Sequence, residues 1–175
     1  MSDELKSALV GCGAILYGDF TLASGKKSKY YIDIKKATTD PKVLGLVADL
    51  MAKELEKGPS VQRIAGVALG SVPLAVALSL RTGIPFVMVR KEKKDHGTGK
   101  LIEGQMLPGE KVLVVEDVIT SAGSAVYAVD TLRQAGVTVD TVMSVVDREE
   151  GGKAVLNGMG VDMKALITAS KILGN

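Results

Sequence analysis

The run Val112–Ser124, V-L-V-V-E-D-V-I-T-S-A-G-S, constrains the fold of this chain more than any other stretch. Its opening aliphatic residues do not alternate with polar ones, and such a run suits a strand covered on both faces, as in a parallel sheet flanked by helices. The expected strand spans Val112 to Val115. Two adjacent acids, Glu116 and Asp117, then stand where ligands bind in such sheets, at the carboxyl ends of the strands. Paired acids there suit three jobs: accepting hydrogen bonds from ribose hydroxyls, binding a divalent metal, or moving protons. The loop Thr120-Ser121-Ala122-Gly123-Ser124 adds backbone N–H groups, hydroxyls and the start of a helix, which together favour an anion, most naturally a phosphate. A blander alternative has the acids merely ending a strand and Ser124 capping a helix. A P-loop is excluded, because no G-x-x-x-x-G-K-[ST] run exists and Gly97-Thr98-Gly99-Lys100 only approaches one.

The rest of the chain repeats this strand-then-helix logic. Residues 3–14 read as a short amphipathic helix opened by Ser2 or Asp3. Phe20-Thr21-Leu22 and Tyr30-Tyr31-Ile32 are β-prone pieces on either side of a Ser- and Lys-rich turn, a hairpin pattern. Helical spacing of Val43, Val47, Leu50, Met51 and Leu55 predicts a helix over 41–57, stopped by Gly58-Pro59. Strands over 64–68, 85–89, 112–115 and 139–146 alternate with helices over 73–81 and 124–134, and a last strand covers 164–168 before a short tail. Alternation of this kind predicts an α/β fold with a central, mainly parallel sheet flanked by helices.

A chain of 175 residues is expected to form one domain. Net charge of +2 gives nucleic-acid binding no support. With 46% hydrophobic and 3% aromatic residues, the expected core is aliphatic. Cys12 is the only cysteine, which rules out an intramolecular disulfide or a cysteine-rich zinc site and fits a reducing cytoplasm. The start lacks the basic-then-apolar order of a signal peptide, and no apolar run reaches membrane-span length, so a cytoplasmic protein without membrane contact is expected. The outlier is the polar insertion over 90–108, too long for an ordinary connection and rich in Lys and Arg around the sole histidine, His96. On its own it reads as a solvated charged loop. Beside a phosphate site, its cations suit a polyphosphate and its glycines suit a closing motion.

Val112–Ser124 resembles the phosphoribosyl pyrophosphate (PRPP) binding signature of type I phosphoribosyltransferases. That resemblance implies that Glu116 and Asp117 hold the ribose hydroxyls and that Thr120, Ser121, Ala122, Gly123 and Ser124 cradle the 5′-phosphate. Ala122 stands where glycine is common. The insertion, R-K-E-K-K-D-H-G from Arg90, resembles the closing catalytic loop of orotate phosphoribosyltransferases, R-K-x-x-K-D-H-G. It implies contacts from Arg90, Lys91, Lys94 and His96 to the pyrophosphate of PRPP, with Lys93 and Asp95 beside them, and a loop that reaches into the neighbouring subunit of a homodimer. Gly66–Pro73 is a strand-to-helix turn by itself. By resemblance, Ala68, Leu69, Gly70 and Ser71 form the pyrophosphate-binding turn, with Leu69-Gly70 replacing the Tyr-Lys pair of many bacterial members.

Phe20-Thr21-Leu22-Ala23-Ser24-Gly25 with Ser28-x-Tyr30-Tyr31 resembles the amino-terminal hood that covers the pyrimidine, here within residues 1–40; Ala23 stands where several bacterial relatives have lysine. Asp147-Arg148-Glu149-Glu150-Gly151 resembles the orotate-binding segment, in which Arg148 pairs with the substrate carboxylate through its planar fork, and Thr120 makes a second contact to the base. The resemblance implies an enzyme of pyrimidine biosynthesis that makes orotidine 5′-monophosphate (OMP) and pyrophosphate from orotate and PRPP. Mg²⁺ is then carried by PRPP, with the direct protein ligands left open, and Lys94, His96 and Asp117 are the implied catalytic groups. Two other readings keep the same residues: a PRPP- or nucleotide-sensing regulator on this fold, and a phosphoribosyltransferase for another base.

Overall fold

The computed structural model describes residues 2–21, 25, 27–91 and 100–174. Helix α1 (Ser2–Gly11) leads into β1 (Ile15–Thr21), which pairs antiparallel with β2 (Lys27–Ile32) as a separate two-stranded sheet. α1 stops three residues short of the expected end, because Gly13 takes a left-handed conformation (φ 75°) and Ala14 N–H closes back on Leu9 O at 2.8 Å. After α2 (Ile34–Thr38) comes α3 (Pro41–Leu55). Asp40 starts α3 by accepting from Lys42 N–H and Val43 N–H at 2.9 and 3.1 Å, and Pro41 suits the first turn, where no intrahelical N–H bond is lost.

The main sheet is built from β3 (Arg63–Val67), β4 (Phe86–Val89), β5 (Ile102–Glu103), β6 (Lys111–Ile119), β7 (Thr138–Asp147) and β8 (Asp162–Thr168). Its order is β5-β4-β3-β6-β7-β8, and all neighbours are parallel except β5, which runs antiparallel to β4. α4 (Val72–Thr82) joins β3 to β4, α5 (Gly123–Gln134) joins β6 to β7, α6 (Gly152–Gly158) joins β7 to β8, and α7 (Ala169–Leu173) follows β8.

The aliphatic run that opens β6 divides between two cores. Leu113 and Val115 pack with Leu5 and Leu9 of α1, Val47 and Met51 of α3, and Leu74 and Leu78 of α4. Val112 and Val114 face the other way, onto Ala125, Val129 and Leu132 of α5 and Leu156 of α6. Side chains of a strand alternate between the faces of the sheet, so an unbroken apolar run needs helices on both sides. Among the described residues no helix is long and apolar enough to cross a membrane.

The differences from the expected elements are physical ones. β6 runs four residues past Val115, so Glu116 and Asp117 lie inside a hydrogen-bonded strand and not just beyond it. The insertion over 90–108 contributes β5, whose Ile102 and Glu103 pair with Val89 and Met88. α2, α6 and α7 are helices of seven residues or fewer, too short to show a helical period in sequence.

Candidate active site

The site is assembled at the carboxyl end of the sheet, where β3 and β6 lie side by side. β3 stops at Val67, and the turn Ala68–Ser71 folds over the acids of β6. Two glycines lie at this approach. A Cβ on Gly70 would meet Asp117 Oδ2 at 2.7 Å, and one on Gly66 would meet Ser71 O at 2.8 Å. The Gly66 contact is with backbone, so that position needs glycine for space, whereas the Gly70 contact is with the free end of the Asp117 side chain, which can turn aside. The Ala68–Leu69 peptide is cis, and the Leu69 side chain projects into solvent. Pro73 lies in the first turn of α4, the helix that follows the turn.

Glu116 is buried at 4% exposure, and Ser71 Oγ donates a hydrogen bond to its Oε2. Burial pushes the Glu116 carboxyl up to about 7, and the neighbouring Asp117 charge adds to that, whereas the Ser71 hydrogen bond and the positive charge of Lys91 pull it down. Glu116 Oε1 has no hydrogen-bond partner among the described residues. Asp117 is half-buried, and its Oδ1 accepts from the Val118 N–H at 2.8 Å. The two acids therefore differ: one is sequestered and easily protonated, the other reaches the edge of the site.

Next to the acids, the loop Thr120–Ser124 turns β6 into α5. Ala122 holds a left-handed conformation, φ 67° and ψ 13°, and stands at the cap of α5 with no side-chain hydrogen bond to the helix. Ser124 lies inside α5, so the reading of Ser124 as its cap is corrected. The first amides of a twelve-residue helix are thus left without a side-chain acceptor, which is the arrangement that favours an anion. Gly152 braces the loop from behind. Its N–H donates to Thr120 O at 2.9 Å, and a Cβ there would meet the same oxygen at 2.5 Å.

Arg148 leaves β7 next to that brace, with its N–H donating to Ile119 O at 2.9 Å. Its guanidinium lies over the Tyr30 ring at 5.3 Å and pairs with Glu150 at 3.0 Å, while its Nε is buried with no partner among the described residues. Tyr30 is buried and Tyr31 half-exposed against Phe20, ring centroids 5.7 Å apart, which separates two tyrosines that the sequence left equivalent. A cavity lined by Lys27, Tyr30, Arg148, Glu150, Ser170 and Leu173 joins the hood to this corner.

Arg90 and Lys91 stand at the root of the insertion. Arg90 N–H donates to Leu101 O at 2.8 Å, Tyr127 Oη donates to Arg90 O at 2.9 Å, and the guanidinium lies 3.7 Å from Glu103. Lys93, Lys94, Asp95 and His96 lie outside the described residues, as do Leu22, Ala23 and Ser24 of the hood motif. The described candidates from three separate segments, 68–71, 116–124 and 148, meet at one end of the sheet. The Ser71–Glu116 contact and the bracing of Thr120 by Gly152 had no signal in the sequence, because each joins residues from different segments.

A model of the phosphoribosyl transferase domain matches residues 34–164. The orotate phosphoribosyltransferase of Methanocella arvoryzae is 48% identical over 174 residues, covering 99% of this chain and 98% of its own length. The crystal structure of orotate phosphoribosyltransferase from Aeropyrum pernix superposes with a TM-score of 0.86 at 37% identity, covering 97% of this chain and 96% of that one. The Mycobacterium tuberculosis orotate phosphoribosyltransferase, in a crystal structure in complex with PRPP, superposes with a TM-score of 0.81 at 31% identity over 98% of both chains. The chain belongs to the phosphoribosyl transferase domain family and, within it, to the orotate phosphoribosyltransferases.

Proposed function

We propose that this enzyme transfers the 5-phosphoribosyl group from PRPP to orotate, releasing pyrophosphate and forming OMP on the route to UMP. The observation that carries the reading is the meeting, at one end of the sheet, of an acid pair with one member buried, an uncapped helix start and an arginine fork. The first suits ribose hydroxyls, the second a 5′-phosphate and the third a carboxylate.

In this account Glu116 and Asp117 accept hydrogen bonds from the ribose, and the loop Thr120–Ser124 holds the 5′-phosphate. The turn Ala68–Ser71 meets the pyrophosphate through its backbone. Arg148 and Thr120 orient orotate so that its ring nitrogen faces the anomeric carbon. A carbon–nitrogen bond forms there as the carbon–oxygen bond to pyrophosphate breaks, the proton of the ring N–H leaves to pyrophosphate or water, and no covalent enzyme intermediate is needed. Negative charge grows on the leaving group and positive charge on the ribose ring, so cations belong around the first and carboxylates near the second. Arg90, Lys91, Lys94 and His96 take the former role, by the resemblance of their loop, and Asp117 the latter. Closure of residues 90–108 excludes water, which otherwise hydrolyses PRPP.

Mg²⁺ enters with PRPP as part of the substrate and neutralises pyrophosphate charge. Residues 1–175 act as one catalytic domain with residues 1–40 as the hood. The working form is a cytoplasmic homodimer that shares the closing loop between subunits.

The test is Arg148→Ala. Losing a two-point carboxylate contact raises the orotate KM by roughly a hundredfold while the PRPP KM stays within about threefold. An equal rise in both constants contradicts the assignment of Arg148 to the base.

A further inference from the structure

We infer that Ser71 is a positioning residue whose hydroxyl, by holding one oxygen of Glu116, locks the pyrophosphate turn to the acid that meets the ribose. The inference rests on the reading of Glu116 as a ribose contact.

Ser71 stands at the cap position of α4, where a serine normally accepts a hydrogen bond from the first turn of its own helix. It makes no such bond. Its Oγ crosses from the end of β3 to β6 and donates to Glu116 Oε2, with Ser71 at 1% exposure and Glu116 at 4%. Forgoing the cap for a buried bond to a carboxylate exchanges a local helix contact for a charge-assisted one across the site. Glu116 Oε1 is left without a partner among the described residues. One oxygen is tethered, and the other is a buried acceptor with unused capacity. The preceding residue lies against the other acid, since a Cβ on Gly70 would meet Asp117 Oδ2 at 2.7 Å. The turn and both acids therefore form one unit, preset before PRPP arrives, so that pyrophosphate and ribose are grasped in a fixed relation.

Calorimetry with PRPP and Mg²⁺, without any base, tests this independently of the orotate assignment. Ser71→Ala is expected to weaken PRPP binding about tenfold and to leave the orotate KM within about twofold, the loss of one hydrogen bond to a charged acceptor. In a Glu116→Ala background the same substitution is expected to cost less than about twofold further, because the group through which it acts is gone. Thermal unfolding of each variant separates a lost lock from a lost fold. PRPP binding by Ser71→Ala equal to wild type, or a tenfold loss that persists in the Glu116→Ala background, overturns the inference. Wild type that binds PRPP but ignores orotate contradicts the proposed base and leaves the lock standing.

Discussion

Glu116 carries opposing demands: it sits in a dry site that disfavours its charge, and its proposed role toward ribose favours the ionised form, which only accepts. Burial raises its pKa to about 7 from an ordinary value of 4.5. Between those values the folded chain holds more protons than the unfolded chain, so stability falls as pH rises. Its stabilising contribution is fully present below about pH 4.5 and is lost as pH rises through about 7, a change of about 3 kcal/mol. Glu116→Gln cannot ionise. Urea unfolding should find the variant gaining on wild type between about pH 5 and pH 8, and a constant difference across that range contradicts the account. The acids themselves were legible in sequence, because two carboxylates directly after an aliphatic strand have few structural uses. Their unequal environments were not, since Ser71 lies 45 residues away and only the fold brings its hydroxyl to Glu116. Ala122 shows both sides of this. Its place in a glycine-prone loop marked the position, and the structure supplies the left-handed φ of 67° that explains the usual glycine.

At the scale of elements, strands and long helices were readable from period alone, and the shortest elements were not. α3 and α5 announce themselves by apolar spacing and by helix stops, whereas α6, seven residues between glycines, and β5, two residues long, leave no periodic trace. β6 exceeds its expected length because the ladder to β7 continues through Glu116 with Ser144, Val118 with Val146 and Ile119 with Asp147. Backbone pairing is indifferent to the polarity of the side chain, so a hydrophobic run understates a strand that ends in a functional site. The insertion has its root fixed by Arg90 and by the β4–β5 pairing. Its cationic centre is proposed to act only on the closed complex. Lys94→Ala and His96→Ala are each expected to lower turnover roughly a hundredfold while the PRPP KM shifts by less than about threefold, since these cations serve the charge that develops on leaving pyrophosphate. Steady-state kinetics check this, and unchanged turnover in both variants removes the loop from the mechanism.

For the molecule as a whole, the order β5-β4-β3-β6-β7-β8 places β6 centrally, with its acids between the turn that ends β3 and the arginine that ends β7. A buried parallel sheet was readable from the unbroken Val and Leu run, and the two cores that enclose it are its physical cause. What no single segment could reveal is the convergence: the loop that opens α5, the acid pair and the corner around Arg148 come together only once the strands are ordered. That convergence is the claim that the chemistry depends on. Its most direct measurement follows the absorbance of orotate with PRPP and Mg²⁺, beside parallel reactions with uracil, adenine and xanthine. Consumption of orotate alone, with pyrophosphate released in equal amount, is the predicted result; consumption of another base in preference to orotate, or none at all, contradicts it.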